Sequence, residues 1–291
     1  MLCPLAYFSL VLGLLSACAP PTKKDAPPIE EKTDNPSRQA MPSNAIEWEQ
    51  LNPARGDQSP QAGTIWGDRK GTVATGFLAK FVDGFSSPPH IHNVTYRAVV
   101  LNGLVHNDDP DAEPMWMKPG SFWTQPAGES HITSAKGEEV IAYVEIGTGP
   151  YLVKPIDQAF NNGESPVNIA AENIVWLTDK QSSWIAPKSK AAISFLWESA
   201  QEPGLRGIFI RLSKGFHGTI ESKGAQFRAI LIQGNLDYRM PQADSMQALD
   251  PGSTFYSKGP ALHPLICSDA HETLLYIRTD SALLVKESDS F

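Results

Sequence analysis

The sequence predicts an all-β protein made of two β-barrels in tandem, and three observations predict it. First, the body of the chain is written twice. YRAVVLNG from Tyr96 returns as FRAILIQG from Phe227, 131 residues later, and Trp66 in GTIWGD returns at the same spacing as Trp197 in SFLWES. Trp48 recurs as Trp176, His131 as His263 and Glu139 as Glu272, in order and with a drift of a few residues, as loop insertions produce. Second, each copy is a series of short apolar runs broken by Gly, Pro, Asn and Asp, rich in β-branched and aromatic residues, with no sustained 3.6-residue period. Third, the 24 prolines and 22 glycines, against only 19% charged residues, suit a turn-rich β protein.

In chain order, Leu5 to Leu15 is apolar but too short to span a bilayer as an ordinary helix. It ends in Leu15-Ser16-Ala17-Cys18, which resembles the lipobox of bacterial lipoproteins. That resemblance implies cleavage after residue 17, acylation of Cys18 and a signal peptide over residues 1–18. Ala19, not Asp, follows the cysteine, which by the same resemblance points to the outer membrane, on the periplasmic side of the cell envelope. The plainer alternative is an ordinary cleaved signal with a chance cysteine. Several acyl chains, at about 0.8 kcal/mol per buried methylene, anchor a protein stably, so the expected membrane contact is through lipid alone.

Residues 19–44 read as a disordered tether: six prolines, many charges and no hydrophobic period. In a polyproline-like state it reaches roughly 80 Å. With Cys3 removed and Cys18 acylated, Cys267 has no partner and reads as a small buried hydrophobe rather than a reactive thiol.

Copy one occupies residues 45–160. Its expected strands are Gly63 to Trp66, Gly76 to Val82, Thr95 to Leu101, Ser121 to Thr124 and Val140 to Ile146. Between the second and third stands SSPPHIHN. His90 and His92, two apart on a strand, share a face and can reach one metal ion. His131 follows the turn signal Pro126-Ala127-Gly128. Three neutral imidazoles on rigid strands form an open metal site, with a position left for water or ligand. The alternative is a polar barrel interior without metal.

These stretches resemble the two signature motifs of the cupins, small antiparallel jelly-roll-like β-barrels. Gly84, His90, His92 and Gly103 match the first motif, and Gly120, Pro126, Gly128 and His131 the second. Two positions depart from it: Tyr96 stands where the family has its metal-binding Glu, and Ala135 where it has Asn. The resemblance implies a bicupin, similar to a bacterial two-cupin family without established activity and to the cupin domains of zinc-binding anti-sigma factors. It also implies pairing into a homodimer through barrel edges. Three-histidine cupins include dioxygenases acting on diketones or thiols, and others act as metal-dependent sensors.

Tyr96 lies four residues past His92 and should face inward with it. Its phenol is the candidate catalytic group: it could close the site, donate a hydrogen bond to a bound ligand or only fill volume. Without a carboxylate ligand a divalent ion keeps its full charge, lowers the pKa of bound water and attracts anionic, oxygen-rich ligands. Imidazole ligands suit Zn and Fe(II), among others. Arg97 should point away as a surface charge, His106 reads as a loop residue, and Trp116, Trp123, Met115 and Met117 read as packing. Tyr143 and Glu145 share a strand face that could approach the cavity.

Copy two occupies residues 161–291, after the turn-rich DQAFNNGESP. Its expected strands are Ser194 to Trp197, Gly207 to Leu212, Phe227 to Gln233, Thr254 to Tyr256 and Thr273 to Ile277. Aligned on Gly103 and Gly234, His90 falls on Glu221 and His92 on Lys223, so the metal site is expected to be lost, with a Glu–Lys pair filling its space. His217 and His271 are the residues that could rebuild a site with Glu221 and His263.

A formal charge of −8 without a basic run argues against a nucleic-acid partner. The expected function is that of a metal-dependent dioxygenase or hydrolase of a small oxygen-rich molecule. The alternative is a membrane-tethered module that binds metal or a small anion without catalysis.

Overall fold

The computed structural model describes residues 38–241 and 245–288. The expected signal peptide, Cys18 and the expected tether up to residue 37 lie outside the described residues. Among the described residues no helix is long and apolar enough to cross a membrane.

All ten expected strands are present. The copies form two jelly-roll sandwiches whose sheets do not close into barrels. The first sandwich is built on a seven-stranded antiparallel sheet, with Ile91–His92 and Val153–Lys154 as a separate pair. The second has a six-stranded and a five-stranded sheet. Each encloses its own apolar core, one around Val100, Val105 and Ala142 and the other around Phe227, Leu231 and Leu275.

Two strands of copy one run well past their expected ends, to Tyr96–Asp108 and Ile132–Ile146. Their register shifts between Val100 and Asn102 and again between Asn102 and Leu104. Such bulges let a strand turn a corner. Gly103 sits there at φ 73°, where a Cβ would be strained and would lie 2.7 Å from a Val140 methyl. His106 is therefore a buried strand residue, not a loop residue. Its pairing with Ser134 depends on the bulge, which the polar run HNDD conceals.

Two short strands change sides. Gln39–Met41 pairs with Thr254–Lys258 of copy two, and Val167–Ile169 pairs with Phe122–Gln125 of copy one. Each copy thus lends one edge strand to the other, across the expected division at residue 160. Arg38 to Asn44, read as the end of the tether, are in fact built into the fold. Edge pairing uses main-chain groups and needs no apolar period, so composition did not reveal it. Arg38 is buried, with its guanidinium 5.8 Å from the Tyr238 ring centre.

A third apolar cluster joins the sandwiches, with Leu78, Val99 and Tyr143 from copy one and Phe209, Ile230 and Tyr276 from copy two. The repeat is legible here residue by residue. Trp66 Nε1 donates to Tyr143 Oη (3.2 Å) and Trp197 Nε1 to Tyr276 Oη (2.8 Å). Each indole receives an arginine from the opposite copy: Arg228 lies 4.7 Å from the Trp66 ring centre and Arg97 4.1 Å from that of Trp197. Arg97 is thus an interface residue rather than a surface charge, and the recurrence of its position reflects this exchange.

Gly76 and Gly207 make room for the two indoles. A Cβ at Gly207 would fall inside contact distance of Trp197 Nε1 and Tyr276 Oη. Gly207→Ala should therefore cost about 1–3 kcal/mol by overpacking, read as a lower urea midpoint at unchanged slope.

Candidate metal centre

Pro88 and Pro89 restrict the backbone just before His90. His90 then exchanges both main-chain hydrogen bonds with His131, each 3.0 Å. His92 follows on Ile91–His92, and its carbonyl accepts from Gly128 N–H (2.8 Å), in the turn that aims His131. His92 and His131 are buried and His90 is half-buried. One ring nitrogen of each lies within 4.8 Å of the others, and they are the one such group among the described residues.

The outer face of each ring is tied to a carbonyl. Nδ1 of His90 meets Pro88 O (2.9 Å), that of His92 meets Leu152 O (3.2 Å), and that of His131 meets Glu129 O (3.1 Å). A carbonyl only accepts, so each Nδ1 carries the proton and each Nε2 carries a lone pair. The Nε2 atoms of His90 and His92 are 3.2 Å apart. Two lone pairs at that distance repel unless a cation lies between them. Two nitrogens at about 2.05 Å from one tetrahedral ion are separated by roughly 3.3 Å, so the spacing fits a metal.

Charge agrees. Burial, reinforced by the neighbouring imidazoles, holds His92 well below its usual value and His131 down to about 3, and burial lowers His90 too. All three are neutral at pH 7, as transition-metal coordination requires.

Tyr96 is buried beside them, with its phenol raised by burial. Its hydroxyl donates to Asn107 Oδ1 (2.8 Å) and lies 3.4 Å from His131 Nε2. Asn107 also accepts from Thr133 (2.8 Å) and donates to Gln125 Oε1 (2.9 Å), whose amide donates to Glu129 O. That carbonyl is the one that fixes His131, so one network holds Tyr96 and His131 together.

The sequence reading missed Asn107, Gln125, Thr133 and Tyr151. Tyr151 stacks on His92 at 4.3 Å between ring centres, and its hydroxyl lies 3.1 Å from His92 Nε2. It follows the last expected strand of copy one and has no counterpart in copy two to mark it. Met117 and Trp123 pack in the core as expected. Tyr143 and Glu145 lie not at the cavity but between the sandwiches, in the third apolar cluster.

In copy two the strand His217–Ser222 pairs Ile220 with His263, as His90 pairs with His131. Ile220 and Ser222 thus occupy the positions of His90 and His92, and both are buried. Alignment on Gly234 slips by one residue, which on a strand exchanges the two faces. Glu221 and Lys223 consequently pair at 3.7 Å on the exposed side and fill nothing. His263 is satisfied by Tyr238 Oη (2.8 Å) and Ser257 Oγ (3.3 Å) and stacks on Phe227. Cys267 is a buried free thiol, raised to about 11 by burial.

Burial holds His263 down to about 3, from 6.5. The unfolded chain therefore binds the extra proton first. Its contribution is complete above about pH 6.5 and declines by about 1.4 kcal/mol per unit as pH falls towards 3. His263→Gln should make the fall in stability between pH 7 and pH 5 shallower, measured by urea unfolding.

A family description, a domain of unknown function (DUF4437), matches residues 41–286. The chain belongs to that family. No curated protein matches this DUF4437 chain. Among solved structures it is similar to a candidate dioxygenase from Nostoc punctiforme, with a TM-score of 0.66 at 14% identity, over 87% of this chain and 88% of that one. It is also similar to an oxalate decarboxylase from Lactobacillus farciminis, solved as a formate complex (TM-score 0.55, 8% identity, 84% and 88% covered). A third neighbour is the vicilin of hazelnut, Corylus avellana (0.52, 11%, 87% and 88%). These are cupin-fold proteins, and the likeness shows that the two sandwiches of the DUF4437 chain have the cupin fold.

Proposed function

We propose that this DUF4437 protein holds one divalent metal ion on His90, His92 and His131 and acts with it on a small oxygen-rich molecule, as a dioxygenase or hydrolase. The observation that carries this reading is the pair of facing Nε2 lone pairs, with every Nδ1 engaged behind them. Such an ion supplies Lewis acidity or, as Fe(II), chemistry with dioxygen. Zinc, which takes three imidazoles as readily, is the competing occupant.

The two phenols divide the remaining work. Tyr96, its proton engaged by Asn107, offers oxygen lone pairs to a substrate hydroxyl. Tyr151 offers a proton to a substrate oxygen once His92 Nε2 is taken up as a ligand. The test is elemental analysis of the purified chain, then oxygen uptake with Fe(II) across diketones, thiols and small acids. Tyr96→Phe and Tyr151→Phe should each lower turnover about tenfold to a hundredfold at unchanged metal content, by loss of a positioned hydrogen-bonding group.

One observation favours the second reading, a binding module without catalysis: no carboxylate lines the cavity among the described residues, so once the imidazoles hold the ion the phenols have no general base beside them. In that case His90→Ala abolishes binding of small anions, and no metal yields turnover. Export and anchoring through Cys18, and a homodimer formed at sheet edges, belong to the same proposal. Globomycin-sensitive processing of the precursor and light scattering of the mature chain test them.

A further inference from the structure

The cavity that His90 and His92 face holds about 370 Å³, towards the lower end for pockets that enclose drug-sized ligands. Its wall has two chemistries. His90, His92, Tyr96 and Tyr151, which touch one another, present nitrogen and hydroxyl groups. Most of the rest is hydrocarbon, led by Leu51, Phe77, Phe81, Phe85, Ala142 and Val144, with Asn52, Ser87 and Thr133 as the neutral polar exceptions. Phe81 and Phe85 lie 5.2 Å apart between ring centres, and Phe77 lies 5.4 Å from Tyr151. Arg55, whose guanidinium lies 5.5 Å from the Phe85 ring centre, is the one lining side chain with a permanent charge among the described residues.

A two-carbon acid would engage the polar groups and leave the hydrocarbon wall facing water. Each methylene laid against such a wall is worth about fourfold in affinity. With an arginine present and no carboxylate in the lining, nothing balances a cationic ligand. We infer that the site takes an apolar-bodied anion, with an oxygen head at His90 and His92 and an aromatic or aliphatic body against Phe77, Phe81 and Phe85. The inference rests on the metal reading of the histidine cluster.

Hydroxamates separate the two, because the chelating head stays constant while the body changes. On the zinc-loaded chain, benzohydroxamate should bind about tenfold tighter than acetohydroxamate or better, with a more negative heat-capacity change by titration calorimetry. Leu51→Asp, at an exposed position that spares folding, and Phe85→Ala should bring that ratio towards one. Zinc content and acetohydroxamate affinity should not move. Equal affinities on zinc-loaded protein, or a ratio unmoved in both variants, overturn this inference and leave the metal reading standing. A chain that takes up no zinc, nickel or iron overturns both.

Discussion

Glu145→Ala should destabilise the protein by about 3–5 kcal/mol, the cost of stranding a buried charge. Glu145 is 1% exposed and Arg278 3%. The carboxylate accepts from Tyr143 (2.8 Å) and Tyr276 (2.7 Å) and pairs with Arg278 at 3.5 Å. The repeat explains why the pair is unlike. Glu145 and Arg278 occupy matching positions of the two copies, 133 residues apart, and face each other where the sandwiches meet. Two glutamates there would repel, so the copies had to differ at this position. Removing the carboxylate leaves the guanidinium in an apolar cluster with one fewer partner for each phenol. A loss of that size is about a fifth or more of a typical folding margin. The double variant Glu145→Gln, Arg278→Met strands no charge and should recover much of it. Urea unfolding at pH 7 measures both; a loss under about 1 kcal/mol for Glu145→Ala would show that the pair does not hold the sandwiches together.

The second large effect concerns the metal. An ion that binds the folded chain alone stabilises it by about 4 kcal/mol at a thousandfold excess over its Kd. For a chain of this size that is a rise in Tm on the order of 10 °C. His131→Ala should remove the whole rise and the bound ion, since His131 is the ligand buried deepest, fixed through Glu129 and adjoining Tyr96. Its effect on metal-free protein should be much smaller. Gln125→Ala, which removes the amide that donates to Glu129 O and accepts from Asn107, should weaken metal affinity about tenfold to a hundredfold, as loss of an outer hydrogen-bond partner does. Calorimetry with and without a chelator reads both variants.

The repeat and the spacing of the histidines made the fold and the three-histidine cluster legible, because strand alternation and motif spacing are local properties. What stayed hidden was set by contacts between distant residues. Arg97 looked like a surface charge because alternation says only that it leaves its own core; the partner indole, Trp197, is a hundred residues away. Asn107 was lost in a polar run because a bulge at Gly103 carries the strand onward beneath it. Glu221 and Lys223 were given the wrong face because a gap-free alignment ignores a single-residue slip. Tyr151 arrives from a connecting segment, where nothing periodic announces it.

The exchange of edge strands bears on any attempt to divide the gene. A cut at residue 160 strips each half of a strand that completes the other and exposes the shared apolar surface, so either fragment alone should be recovered as aggregate. Produced together, the halves should find one another and restore metal uptake, which makes the DUF4437 fold a natural candidate for a split reporter.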